Sequence, residues 1–132
     1  MIIPILTRRS YDFSATTGAA VENVVVRDLD VIAYRSATLL TRVHAMDAAT
    51  SRLSISVYRT SPSPDAPQED FIGSSALSTK QIQSETANSL VRQPLAAPFG
   101  SHLRIVLVPD PPALPATFTA TLSMAMVLRE QP

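Results

Sequence analysis

From Thr117 to Arg129 the chain alternates. Phe118, Ala120, Leu122, Met124, Met126 and Leu128 fall on one side, and Thr117, Thr119, Thr121, Ser123 and Arg129 make up most of the other. A period of two puts successive side chains on opposite faces of an extended strand and cannot build an apolar helical stripe. One face must therefore meet a core while the other stays wet, as in an antiparallel sheet.

The same period recurs. Leu53, Ile55 and Val57 oppose Arg52, Ser54, Ser56 and Tyr58, and Ala37, Leu39, Thr41, Val43 and Ala45 oppose Thr38, Leu40, Arg42 and His44. Residues 103–108 are apolar on both faces except at Arg104, which predicts a central or interface strand. Residues 2–6, 21–26 and 71–77 predict shorter strands, with Pro4 restricting the first to a sheet edge. Residues 79–90 are the one stretch with room for a helical turn or two, supported by Ile82 and Leu90. Most of the 11 prolines fall in the intervening segments, at 60–70, at 109–115 and from Pro94 to Pro98. Fixed φ and a missing N–H make such clusters strand stops.

Seven or eight strands in 132 residues predict an all-β fold, an antiparallel two-sheet β-sandwich. The immunoglobulin hallmarks are a Cys pair and a core Trp, and this chain has neither residue type, so the jelly-roll-like arrangement is expected. Residues 1–132 are read as a single β-sandwich domain, with residues 1–18 as a candidate N-terminal arm.

Eleven basic residues balance 11 acidic ones, which argues against a nucleic-acid partner. Without Cys there is no disulfide, thiolate nucleophile or Cys-rich zinc site. No window is apolar enough to span a membrane as a helix. Arg8 and Arg9 follow the apolar run of residues 2–6, the reverse of a secretion signal, so synthesis in the cytoplasm is expected.

The motif search predicts no chemistry. His44 and His102 form no His-x-His pair, and a cupin-like metal site would need them to converge. Glycines at 18, 73 and 100 write neither a dinucleotide fingerprint nor a phosphate loop, and no Gly-x-Ser-x-Gly elbow occurs. Asp28 and Asp30 read as turn residues, and neither they nor Asp65, Glu69 and Asp70 fit a calcium loop. The expectation is a non-enzymatic protein with no catalytic residue, metal or cofactor. Among the aromatics, Phe118 is assigned to the core and Phe71 and Phe99 to the sandwich ends. Tyr34 and Tyr58 remain as platform residues for a carbohydrate or other ligand, the alternative function.

Contact surfaces are then the expected carriers of function. Ile2, Ile3, Ile5 and Leu6 form an apolar strand that adds to a neighbouring sheet or pairs within its own. Arg8 and Arg9 are placed with them: the basic residues are arginines except for Lys80, a bias that fits either the codon usage of a GC-rich genome or the preference for arginine at interfaces. Tyr34 and Tyr58 complete the candidate interface, and Ala125 with Val127 form a further apolar pair on the wet face of the last strand.

The stretch from Asp30 to Ala45 enters a strand at Tyr34 and Arg35 and continues as an alternating one. Leu53 to Val57, Asp70 to Gly73 after the Pro-rich loop, and Leu95 to Leu107 follow, and a Thr- and Ala-rich strand closes the chain. Over residues 28–129 this texture and strand order resemble the small β-sandwich virion accessory proteins of tailed bacteriophages, the capsid decoration or cement type. The resemblance implies a virion protein made in the host cytoplasm. It would bind the major capsid protein or another virion protein, often as a homo-oligomer, with a tail or baseplate accessory role as the variant. No site residue carries over from it.

Overall fold

In the computed structural model the described residues are 1–15, 23–46, 52–60, 77–82, 89–95, 102–110 and 116–130. They form eight strands and no helix: β1 Ile2–Ala15, β2 Asn23–Asp30, β3 Ser36–Met46, β4 Arg52–Thr60, β5 Ser78–Ile82, β6 Ser89–Leu95, β7 His102–Asp110 and β8 Ala116–Arg129. The strands make two antiparallel sheets, ordered β1-β8-β3-β6 and β2-β7-β4-β5. Each sheet interleaves strands from both ends of the chain, which is the jelly-roll arrangement of two Greek keys. The jelly-roll-like sandwich read from the alternation is therefore the fold observed.

The alternating residues build the core. Leu122, Met126 and Leu128 of β8, Leu39 and Val43 of β3, and Leu53, Ile55 and Val57 of β4 are fully buried, as are Leu103, Ile105 and Leu107 of β7. Each such side chain contributes about 1.5–3 kcal/mol by leaving water. β7 lies between β2 and β4, as its two-sided apolar character requires. Val106, on the face of β7 away from the core, is also buried.

Two expectations need correction, and a third falls almost wholly outside the described residues. Residues 79–90 hold no helical turn in their described part: Ser78–Ile82 is β5 and residues 89–90 open β6. Ile82 faces the core from a strand, so its apolar character came from period two. The strand expected at 71–77 lies outside the described residues up to 76, and Leu77 is a bend whose N–H bonds Val57 O at 2.7 Å. Pro94 and Pro109 do not stop their strands. Pro94 sits in β6, whose outer side faces no strand, and Pro109 lies where β7 has run past the start of β2 and pairs only with β4. In both places no ladder bond needs the missing N–H.

The β2–β3 turn crosses between the sheets. Asp30 Oδ1 accepts the Ile32 N–H at 3.1 Å, and Tyr34 N–H bonds Val31 O at 3.0 Å. Asp30 thus does the turn work expected of it. Val31 is fully buried beneath the turn while Ile32 is 71% exposed.

Candidate functional site

The first sheet has an outer face defined by strand parity. β3 contributes Thr38, Leu40 and Arg42, β8 contributes Ser123, Ala125 and Val127, β6 contributes Leu90 and Arg92, and β1 contributes Ile2 and Pro4. A groove of about 340 Å³ runs across this face, floored by Leu40 and Ala125 and walled by Pro4, Leu6 and Leu90, with Thr7, Arg42 and Ser123 as polar lining. Ile2 at 66% and Leu90 at 37% are exposed apolar side chains of the same face. Water covers both at a free-energy cost that a docked partner removes.

Bulges shape this face. β1 carries two: Pro4 and Leu6 oppose the adjacent Ala125 and Met124, and Leu6 and Arg9 oppose Met124 and Leu122, so each interval gains one residue. At the second, Arg8 adopts φ 45°, the left-handed region that costs a non-glycine residue about 1–2 kcal/mol. Its N–H bonds the side-chain Oγ of Ser123 at 2.9 Å. On the other side of β8, Val43 and Ala45 oppose the adjacent Leu122 and Thr121, which makes His44 the inserted residue of β3. His44 Nε2 shares a 2.7 Å hydrogen bond with the same Oγ. Ser123 therefore ties together two bulges that flank its strand. The bulge also reverses parity, so Ala45 is exposed and Met46 packs on the core, contrary to the unbroken alternation expected to Ala45.

A serine hydroxyl at hydrogen-bond distance from a histidine suggests a nucleophile and its base, but the surroundings do not complete one. His44 Nδ1, where an orienting carboxylate would act, is buried and makes no hydrogen bond. The Arg8 amide donates to the oxygen that would attack. The pair is a structural bridge. His102 is not in a turn as expected: it begins β7, paired with Asp30 and Thr60. His44 and His102 lie in different sheets and at opposite ends of the sandwich, so the convergence a cupin-like site needs does not occur. Among the described residues no three His, Asp or Glu side chains group as metal ligands.

The expected interface residues divide. Residues 2–15 form β1 of the chain's own first sheet, Ile2 opposite Val127 and Ile3 opposite Met126. Ile3, Ile5 and Leu6 are half-buried against the core, and Leu6 also reaches the groove. Arg9 holds its guanidinium 5.0 Å from the centre of the Tyr11 ring. Burial raises the Tyr11 hydroxyl above its ordinary pKa, and the Arg9 charge opposes that. Tyr34 donates its hydroxyl to the Met1 sulfur at 2.9 Å, beside the β1 terminus. Tyr58 stands half-buried on the outer face of the second sheet, opposite Arg104. The two tyrosines thus form no common platform. The groove residues Leu40 and Leu90 were missed from sequence, although a Leu at an outward position of an alternating strand was a visible signal.

No family model matches the chain, and neither does any curated protein. Solved structures do. VP2 in the subviral particle of infectious bursal disease virus superposes with a TM-score of 0.61 at 12% identity, over 98% of this chain and 32% of that one. Structures of the Gx and Gt strains of the virus give TM-scores of 0.55 and 0.56, at 13% and 10% identity. They cover 96% and 98% of this chain, and 31% of the matched chain in each case. The chain spans about one third of the length of the structures it matches. At these identities the likeness is one of fold: nearly the whole chain follows the path of one jelly-roll section of a viral particle protein.

Proposed function

We propose that this chain is a non-enzymatic structural protein of a virus particle. It acts on the capsid of a phage-type particle, where it binds the major capsid protein or another virion protein as an oligomer. The observation that carries the reading is the two-sheet fold, ordered β1-β8-β3-β6 and β2-β7-β4-β5, of which 98% superposes on VP2 of a subviral particle with a TM-score of 0.61. The exposed apolar groove supports it, since a protein that works through contacts needs such a surface. The His44 and Ser123 geometry supports it too, because this histidine–serine pair, among the described residues, is engaged in holding two bulges. In this reading Ile2, Leu6 and Arg8 contribute to the contact through β1. The test is to mix the purified chain with particles assembled in its absence and to sediment them. Saturable co-sedimentation is expected; a chain that stays in the supernatant at every ratio overturns the reading.

A further inference from the structure

Among the described residues, the four edge strands are blunted. β1 carries Pro4 and two bulges, and β6 carries Pro94. β2 has register breaks between Val24 and Val26 and between Val26 and Leu29. β5 has 5 residues, with Lys80 at its centre. Proline, bulges, shortness and lysine are the devices that stop a sheet from extending into another chain. With these edges blunted, the faces of the described sheets are the surfaces open to a partner.

The outer face of the first sheet has a definite chemistry. Its groove offers Pro4, Leu6, Leu40 and Leu90, and Arg42 lies at its side. The charged side chains described on this face are arginines: Arg8, Arg42, Arg92 and Arg129, all exposed. Pairing the face with the same face of a second copy would set arginines against arginines, since a two-fold contact repeats one patch on both sides. Arginine favours carboxylates through its planar fork, and like charges would repel a basic partner.

We infer that the outer face of the β1-β8-β3-β6 sheet is the docking surface for an extended acidic and apolar segment of another protein. That segment places apolar side chains in the groove between Leu40 and Leu90 and carboxylates along the arginines of the face, above all Arg92, which stands opposite Leu40. The inference deepens the particle reading and rests on it, by naming the surface and the chemistry of what it meets.

Three labelled octapeptides test it by fluorescence anisotropy: leucine alternating with glutamate, leucine alternating with lysine, and serine alternating with glutamate. The leucine–glutamate peptide is expected to bind at least about tenfold more tightly than the other two. Its binding falls at least about tenfold in Leu40→Glu and in Arg42→Glu, while Tyr58→Glu, on the opposite sheet, leaves it unchanged. Leu40 and Arg42 point away from the core, and unchanged thermal unfolding of at least one of the two variants certifies its fold. Equal binding of the lysine peptide, or binding insensitive to both variants, overturns the inference. So does self-association of the purified chain that Leu40→Glu abolishes, since the occupant is then a second copy. The particle assay separates the two claims. If Leu40→Glu and Arg42→Glu co-sediment as well as the natural chain, this surface is wrong and the particle reading stands. If the natural chain fails to co-sediment while the peptide pattern holds, the particle reading is wrong and the surface stands.

Discussion

His44 Nε2 lies 2.7 Å from Ser123 Oγ, and the same oxygen accepts the Arg8 amide at 2.9 Å. One hydroxyl in the middle of β8 thus holds the backbone amide of Arg8 at one bulge and the side chain of His44, the inserted residue, at the other. Ser123→Ala removes both bonds at once and leaves the Arg8 N–H and the His44 ring to find others. The expected cost is about 1–3 kcal/mol, read as a lower urea midpoint with an unchanged slope. A loss below the error of the fit would mean that water replaces the hydroxyl without penalty.

The φ of 45° at Arg8 makes a second prediction. Arg8→Gly removes the crowding of Cβ but gains freedom in the unfolded chain, so stability should rise by only about 0.5 kcal/mol. Arg8→Val places a β-branched residue in the left-handed region and should lose about 1–2 kcal/mol. Equal stability of the two variants contradicts the assigned backbone geometry.

Leu39 and Leu40 are adjacent in β3 and face opposite ways. Leu39 is fully buried, so Leu39→Ala should cost about 2–5 kcal/mol. Leu40 lines the groove, and Leu40→Ser should change stability by no more than about 0.5 kcal/mol. Chemical denaturation of the two variants checks the register of the whole first sheet, because a slip of one residue would exchange the two results.

Period two read the central architecture correctly because it reports side-chain direction, the property that a half-buried sheet selects. Among the described side chains, the alternating residues of β3, β4 and β8 are core residues as expected, with a reversal at Ala45. That reversal was not legible, since an inserted residue such as His44 has no sequence mark when its strand stays extended. β5 and β6 were illegible for a related reason. Ile82 and Leu90 are too far apart to display alternation, and Pro94 reads as a stop unless the strand is known to lie at an edge. The groove was hidden because it joins Leu6, Leu40 and Leu90 from three strands, and strand order is a long-range property. Phe71, Phe99 and the side chain of Phe118 lie outside the described residues.

Gln93 joins the two sheets. Its side chain is buried, and its Nε2 donates to Ile55 O and to Ser78 Oγ, each at 3.0 Å, while its Oε1 is buried without a hydrogen bond. Gln93→Met keeps the shape and removes both the bonds and the unsatisfied oxygen, so its stability should fall within about 1 kcal/mol of the natural chain. Gln93→Ala leaves a cavity as well and should cost about 2–3 kcal/mol. Thermal unfolding of the pair separates packing from hydrogen bonding at this link.

Tyr11 gives the fold a pH dependence. Burial raises its folded-state pKa above the unfolded value of 10.0, against the smaller opposing effect of Arg9. The unfolded chain therefore releases this proton first, and unfolding becomes easier as pH rises past 10 and through the folded pKa. Below pH 10 the contribution is fully present. Tyr11→Phe should flatten this part of the stability–pH curve, and an unchanged slope between the two chains would assign the alkaline loss to other groups.

A structural protein held in a virus particle by contacts must travel with that particle. Quantitative mass spectrometry of density-banded particles, from cells that make both chain and particle, measures this directly. The account predicts that the chain bands with the particle at many copies, in a constant ratio to the major shell protein across the band. A chain confined to the soluble fractions, or present only in trace and varying amounts, would contradict it.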